Sequence, residues 1–295
     1  MNPVVETSRI ASLKQSIARH PVPSFLLMLY PISWILFLPA LLGTAGFGVI
    51  PFAVPAQVSI LLATMFGLTA VAFLVTRIAD GREGTRALRG HYYRFRTNPL
   101  WYFFAVFAAP ILLLAAGLVV HGAGVFSPVA RNAAQIPATY LFNLVLIAVL
   151  ISVFEEGAWM GFMTARLQRR FGALLASVMV APCFGFIHFP LLFIIGGVVD
   201  NGRPVGLHFF EYLFYLMVVF SVPVRILLTW VFNSSGGSIP AVGLLHASID
   251  TTASTAVLTA FFPAVDGRLL YVAIAVVALG VILLTRGRLG QPEIR

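Results

Sequence analysis

Two adjacent carboxylates, Glu155 and Glu156, lie in the middle of an apolar stretch of this sequence. A carboxylate at the centre of a bilayer costs roughly 2.5 to 3.5 kcal/mol, so such residues are rare and usually functional. They also need partners at the same depth. Two later apolar stretches supply candidates, His188 in one and His246 with Asp250 in the other.

These residue types suit hydrolysis. A carboxylate and an imidazole that hold one water molecule in a low-dielectric cavity provide general-base catalysis of amide hydrolysis. His246 and Asp250 are four residues apart and share a helix face, as do Phe184 and His188. The side chains of Glu155, His188 and His246 also match the ligands that zinc prefers. The residues alone leave metal-dependent and metal-independent hydrolysis open, with no certain cofactor.

Composition sets the fold class. The chain has 295 residues, of which 60% are hydrophobic and 10% charged, against about 25% charged in soluble domains. We therefore predict an all-α, polytopic membrane helix bundle, with about 20 apolar residues in each span. The net charge of +9 comes from residues scattered beside the apolar spans, which indicates membrane orientation and no nucleic-acid partner. A single cysteine, Cys183, excludes an internal disulfide and a C-x-x-C site.

Apolar stretches predict eight transmembrane helices, at about 25–47, 58–75, 100–120, 139–163, 173–195, 209–232, 239–262 and 269–285. The first is interpreted as a retained anchor and not as a cleaved signal peptide. Four segments follow from this pattern. They are a cytoplasmic, interfacial segment (1–24), helices one to three (25–137), a catalytic core with helices four to seven (138–262), and the eighth helix with the C-terminus (263–295).

Charge predicts the orientation. Eight spans place both termini on one side, and positive residues favour the cytoplasmic side. The predicted cytoplasmic positions include a basic loop at 77–98 with six arginines, and also Arg9, Lys14, Arg19, Arg166, Arg169, Arg170, Arg286, Arg288 and Arg295. Only Arg131, Arg203 and Arg268 fall on the other side, and Arg225 lies within a span. We predict an integral protein of a bacterial plasma membrane with both termini cytoplasmic.

Helix rise predicts that the polar residues share one layer. If the fourth and fifth spans turn at Gly172, Glu155 precedes the turn by 17 residues and His188 follows it by 16. Both then lie about 25 Å from the turn. On a helix that begins near Ser238, His246 and Asp250 lie about 12 and 18 Å deep. The sequence therefore predicts one polar cavity in the cytoplasmic half of the bundle.

Three motifs on separate helices carry a resemblance to a known family. They are Glu155-Glu156-Gly157-Ala158-Trp159-Met160, Phe184-Gly185-Phe186-Ile187-His188 and His246-Ala247-Ser248-Ile249-Asp250. In this order they resemble the CPBP family of intramembrane proteases, which includes the type II CAAX prenyl endopeptidases and the bacterial Abi, or bacteriocin-processing, proteins. The resemblance covers about residues 150–255. It implies a membrane endopeptidase, and this family is often labelled metalloprotease although a metal-independent glutamate mechanism is also argued for it.

The resemblance implies a role for each matching residue. Glu155 and His188 would activate the hydrolytic water, with Glu156 beside them in the first motif. His246 and Asp250 would stabilise the oxyanion or orient the substrate carbonyl. Asp250 stands where the family often has Asn, and an aspartate is a poor oxyanion donor unless it is protonated. We therefore expect Asp250 to hold His246 in one tautomer.

Met160 departs from the family motif, which has arginine at this position. That arginine would lie at i+4 from Glu156 and pair with it. Without it, either another cation replaces it or Glu156 is protonated. Arg225 is the candidate replacement, because it lies about eight residues inside its span, roughly 12 Å deep. We count Arg225 and Phe184 as supporting residues of the site.

The sequence thus predicts an intramembrane endopeptidase that acts on a peptide or a C-terminal protein segment presented at the bilayer. CAAX-type processing and maturation of a peptide or bacteriocin are both open. The first alternative is a catalytically inactive scaffold or self-immunity protein of the same family, which the change at Met160 makes credible. The second is a proton-coupled transporter, against which no inverted repeat or pair of broken helices is evident. No H-E-x-x-H zinc motif occurs in the sequence.

Overall fold

The chain folds into helices joined by short connections. The computed structural model describes residues 3–195 and 206–291, with side chains from residue 11 onward. Eleven helices lie within these ranges: α1 (Pro3–Arg19), α2 (Pro21–Leu42), α3 (Ala56–Ala79), α4 (Gly81–Tyr92), α5 (Pro99–Arg131), α6 (Ala133–Phe171), α7 (Ala173–Ile187), α8 (Leu207–Ser234), α9 (Ile239–Ala253), α10 (Thr255–Phe261) and α11 (Arg268–Thr285).

Six of these helices, α2, α3, α5, α6, α8 and α11, are long and apolar enough to cross a membrane. The predicted all-α, polytopic helix bundle is confirmed, and the chain is an integral membrane protein. The other two predicted spans correspond to α7 and α9, which have 15 residues each. A helix of that length extends about 22 Å, less than the roughly 30 Å of a hydrocarbon core. The count of eight spans stays a prediction.

The helix α7 is shorter than the predicted span, which continued to residue 195. It ends at Ile187, and His188 occupies the C-terminal cap. A 3₁₀ turn, Phe189–Phe193, follows directly. The cause is Pro190, which has no N–H for a helical hydrogen bond and disfavours helical geometry at the residue before it. His188 is therefore the last residue of a helix and does not lie inside one.

The predicted seventh span, 239–262, is divided in two. Ser254 adopts an extended backbone between α9 and α10. Its side-chain oxygen accepts a hydrogen bond from the backbone N–H of Val257, which is the usual role of serine at a helix N-cap. The helix that carries His246 and Asp250 therefore ends shortly after Asp250.

The predicted basic loop at 77–98 contains the helix α4. Glu83 lies in the first turn of α4 and Arg89 in its last, an arrangement that complements the helix dipole. The helix packs on α6 at two glycines. A Cβ atom at Gly157 would lie 1.6 Å from the Tyr92 hydroxyl, and one at Gly161 would lie 2.8 Å from Leu88. Small residues therefore permit this close approach.

The hairpin between α6 and α7 is confirmed. Gly172 joins the two helices with φ of +78°, a conformation that glycine adopts without the Cβ clash of other residues. Arg169 and Arg170 lie in the last turn before it. The predicted loop residue Arg203 and the terminal Arg295 lie outside the described residues, and the division into four segments stays a prediction.

Two π-helical segments face each other near the two glutamates. One is Ala63–Ala70 within α3, and the other is Ser152–Thr164 within α6. The Thr69 hydroxyl donates to the backbone oxygens of Phe154, at 2.8 Å, and Val153, at 3.2 Å. A π-helix is rare and occurs often at functional sites. Here it contains both Glu155 and Glu156, and a neighbouring helix satisfies two of its carbonyl groups.

The contact between α6 and α9 gives a test of the packing. A Cβ atom at Gly243 would lie 2.0 Å from the Ser152 hydroxyl oxygen and 3.0 Å from its Cα atom. Because backbone lies this close, we expect Gly243→Ala to lower the free energy of unfolding by about 1 to 3 kcal/mol. The control is Gly280→Ala in α11, where a Cβ atom meets nothing within 4 Å. The unfolding temperatures of both variants in detergent provide the measurement, and equal values would contradict the described packing.

Candidate functional site

Glu156 lies at the centre of a polar cluster. Its side chain is fully buried, and so is that of Arg225 from α8. The Arg225 guanidinium donates to both carboxylate oxygens of Glu156, at 2.8 and 2.9 Å. This bidentate geometry is the strong form of an arginine–carboxylate pair. The predicted pairing of Arg225 with Glu156 is confirmed as a contact, and its geometry supports an ionised Glu156.

Met160 occupies a buried position one helical turn from Glu156. Its sulfur accepts a weak hydrogen bond from the Thr229 hydroxyl, with a distance of 3.9 Å. Thr229 in turn accepts from Ser177 at 2.8 Å. The cation that the family motif places on the same helix as the glutamates therefore comes from α8 in this chain. Thr229 and Met160 pack together one turn beyond the ion pair.

His246 is held by Glu156 and not by Asp250. Its Nδ1 atom lies 2.7 Å from a Glu156 carboxylate oxygen, so Nδ1 carries a proton and donates. Its Nε2 atom lies 3.8 Å from Asp250, which is too long for a hydrogen bond. The prediction that Asp250 fixes the tautomer of His246 is therefore corrected, because the carboxylate of Glu156 faces Nδ1. Asp250 is partly exposed on the other side of the ring.

His188 has its tautomer set by its own helix. Its Nδ1 atom lies 3.1 Å from the backbone oxygen of Phe184, and a carbonyl oxygen can only accept. Nδ1 therefore donates, which leaves Nε2 as the acceptor of a neutral imidazole. No described residue makes a hydrogen bond to Nε2.

Phe184 connects the basic groups of the site. Its ring centroid is 5.3 Å from that of His188 and 5.5 Å from that of His246, with edge-to-face geometry in both pairs. The guanidinium carbon of Arg225 lies 4.9 Å from the same ring centre. This distance is within the range of a cation–π contact. The ring of Phe184 thus contacts both imidazoles and the arginine.

Glu155 differs from its neighbour. Its side chain is half-buried, and it accepts no hydrogen bond from any residue that the structure describes. It lies close enough to interact electrostatically with His246 and Asp250, and His188 also interacts with His246. His246 therefore lies within electrostatic reach of both Glu155 and His188, and Glu156 is enclosed whereas Glu155 has no hydrogen-bond partner among the described residues.

The described side chains do not form a cluster of metal ligands. Within the described ranges, no three His, Cys, Asp or Glu side chains lie close enough to hold a metal ion. The set Glu155, His188 and His246 is included in this finding. Nδ1 of both histidines is hydrogen bonded, so Nε2 of each is the ring nitrogen that could bind a metal.

Two residues near the site were not predicted. Thr69 binds the carbonyl groups before Glu155, and the Tyr92 hydroxyl is buried against Gly157, next to Glu156. The only signal for them in the sequence is the spacing of Gly157 and Gly161, which indicates that something approaches this face. It does not identify what approaches.

An apolar groove lies beside these two residues. It has a volume of about 660 Å³ and is lined by α3, α4, α5, α6 and α9 and by the connection after α4, with Thr69 and Tyr92 on the side next to the glutamates. Aromatic side chains, among them Phe73, Phe95 and Tyr102, form much of its wall. The groove is thus a space for an apolar group along the part of α6 that precedes the two glutamates.

The position of the cation can be tested by moving it. We expect Arg225→Met to lower the free energy of unfolding by about 3 to 5 kcal/mol, because Glu156 is then buried without a cation. Met160→Arg should also destabilise, since it places a second guanidinium in an apolar position. The double variant has one cation again, at i+4 from Glu156, and should be less destabilised than the sum of the two.

Thermal unfolding in detergent of wild type, both single variants and the double variant measures this coupling. Arg77→Met, at an exposed arginine in the last turn of α3, is the control for loss of a positive charge. Strictly additive changes would show that Arg225 and Met160 do not compete for Glu156.

Comparison with known proteins bears on the part of the chain that carries the site. Residues 137–252 match the family model described as type II CAAX prenyl endopeptidase Rce1-like. This segment covers less than half of the chain and contains the glutamates, His188, Arg225, His246 and Asp250. No curated protein matches the sequence. By this match and the three motifs, the site-bearing segment of the chain is similar to the Rce1-like, type II CAAX prenyl endopeptidases, a family of proteases.

Proposed function

We propose that this chain is an intramembrane endopeptidase of the CAAX type, which hydrolyses a peptide bond in the membrane half next to its basic end. The observation that carries the proposal is the contrast between two neighbouring glutamates. Glu156 is enclosed and paired with Arg225, whereas Glu155 is half-buried and has no hydrogen-bond partner among the described residues. A carboxylate without a partner at membrane depth is available to accept a proton from water.

In this proposal Glu155 and His188 activate the water. One water proton passes to the Glu155 carboxylate as the water oxygen forms a bond to the carbonyl carbon of the substrate. The second O–H of the water donates to Nε2 of His188, which is unprotonated because Nδ1 donates to the Phe184 backbone oxygen. His188 therefore fixes the direction of attack while Glu155 is the base.

His246 is proposed to stabilise the oxyanion that this attack creates. With Nδ1 donating to Glu156, a protonated Nε2 can donate to the developing negative charge. Glu155 then returns its proton to the amide nitrogen as the carbon–nitrogen bond breaks, which yields a carboxylic acid and an amine. Asp250, on the partly exposed side of His246, is proposed to orient the substrate.

The apolar groove favours a lipid-modified substrate over an unmodified peptide. Its volume of about 660 Å³ and its aromatic wall suit a prenyl chain, and it lies directly beside Thr69 and Tyr92. A substrate with its lipid in this groove would present its C-terminal peptide to the polar cluster. The proposed substrate class is thus a prenylated C-terminal segment of a membrane-associated protein.

Cleavage by detergent-purified protein tests the proposed chemistry. We expect wild type to cleave a fluorogenic farnesylated C-terminal peptide faster than the same peptide without the farnesyl group. Glu155→Gln and His188→Gln should each lower kcat by about 10² to 10⁴, the range for loss of general-base catalysis. The control is His208→Gln, because His208 is exposed and pairs with Glu211 away from the site.

The same assay with a chelator tests metal dependence. The mechanism above predicts unchanged activity after chelation, and loss that zinc restores would overturn the metal-free form. Cleavage that survives in Glu155→Gln would overturn the assignment of the base. An inactive wild type that unfolds at the same temperature as its variants would support the inactive scaffold or self-immunity protein instead.

Thr69 provides a test of positioning. It donates to the carbonyl groups of Val153 and Phe154, so it supports the π-helical turn that directs Glu155. We expect Thr69→Val to lower kcat by roughly 10-fold to 100-fold with little change in KM, since the base is displaced and the groove is kept. Thr69→Ser retains the hydroxyl and should recover most of the activity. Equal losses in both variants would contradict the proposed role of the hydroxyl.

A further inference from the structure

A second cleft opens at the basic end of the bundle, away from the polar cluster. It has a volume of about 1060 Å³ and lies between the start of α2, the joint of α3 with α4, the last turns of α6, and α7. Neither Glu155, Glu156, His188 nor His246 lines it. The proposed hydrolysis therefore does not account for this cleft.

The rim of the cleft is positively charged. Four arginines line it, of which Arg166 pairs with Asp80. The other three, Arg19, Arg169 and Arg170, are exposed. Within the described part of the chain, no carboxylate lies within 4 Å of any of these three. Only one further acidic residue, Glu83, lines the cleft, so three unneutralised arginines face one carboxylate.

The floor of the cleft is apolar. The floor is formed by residues that include Val22 and Leu26 from α2, Met163 and Leu167 from α6, and Met179 from α7. Along α6 the lining extends from Gly161 to Arg170, which is about 14 Å at the rise of a helix. The charged rim and the apolar floor are thus stacked along the axis of the bundle.

We infer that this cleft binds one anionic phospholipid, with the phosphate among Arg19, Arg169 and Arg170 and an acyl chain along the apolar floor. A lipid in a bilayer has this same order of charge and hydrocarbon, and basic pockets between membrane helices bind acidic headgroups. Guanidinium groups suit phosphate because their planar donors match its oxygens. A free anion would contact the arginines of the rim but leave the apolar floor unoccupied. An acidic peptide would place charged groups on the apolar floor.

Native mass spectrometry of the full chain in neutral detergent tests the inference. The probes are phosphatidylglycerol, phosphatidylcholine with the same acyl chains, and inorganic phosphate as a competitor. We expect wild type to retain one phosphatidylglycerol and far less phosphatidylcholine. Arg169→Gln with Arg170→Gln should weaken retention by about 30-fold, which follows from the contribution of a typical basic residue near an anionic lipid.

A matched control separates a site from general attraction. Arg82→Gln with Arg86→Gln also removes two exposed charges from the basic end, at positions that do not line the cleft. This control should bind phosphatidylglycerol as wild type does. Equal weakening in both double variants would overturn the site in favour of a diffuse surface potential.

Met179→Trp tests the apolar part without a change of charge. It should lower retention of phosphatidylglycerol, since the indole fills the floor. If this variant retains phosphatidylglycerol as wild type does, and millimolar inorganic phosphate displaces that lipid, the cleft is an anion site without a lipid site. Because every readout is binding, these results do not depend on whether the chain is a protease.

Discussion

The buried pair of Glu156 and Arg225 is the interaction on which the rest of the site depends. Both side chains are fully buried, and two charges at this depth are stable only as a well-matched pair. A buried pair of this kind is weak evidence for net stability, since an apolar pair of similar volume is often as stable. The pair joins α6 to α8 at one height, because its two members lie on these helices.

That constraint separates the roles of two neighbouring residues. Arg225 occupies both oxygens of Glu156, one of which also accepts from His246. Glu156 therefore orients His246 and is not available for proton transfer. Glu155 is one residue along the same π-helical segment and accepts nothing from the described residues. An adjacent pair of carboxylates thus divides into a paired member and a second one, the proposed base, that no described residue engages.

The sequence predicted the height of the site residues along their helices well, but it predicted the direction of their side chains about the helix axes poorly. Counting the helix rise from Gly172 placed Glu155 level with His188, and the same arithmetic selected Arg225 as the partner of Glu156. Rise gives height alone, whereas a contact also needs the direction of the side chain about the helix axis. The π-helical segment changes that direction, and no residue pattern in Ser152–Thr164 predicts a π-helix. For this reason Asp250 was expected to hold His246 in one tautomer, whereas Glu156 accepts from its Nδ1 atom.

Helix ends were partly predictable. Pro190 could have indicated that α7 ends near His188, since a proline limits the helix before it. The helix α4 was missed because a run of arginines between two apolar spans is also typical of a loop. Thr69 and Tyr92 could not have been found, because they reach the site from helices that precede the matched segment and carry no motif of their own.

These N-terminal helices explain how irregular backbone is tolerated beside the site. Unpaired backbone groups are costly at membrane depth unless protein encloses them. The turn after His188 is enclosed in this way: Leu191 and Leu192 are buried, and Ile195 donates to the backbone oxygen of Ala45, in the connection after α2. On the other side, α2 places Phe25 against Trp159, with ring centres 6.1 Å apart. The segment that matches the family thus supplies the proposed reactive groups, and the preceding helices supply the enclosure that lets His188 end a helix there.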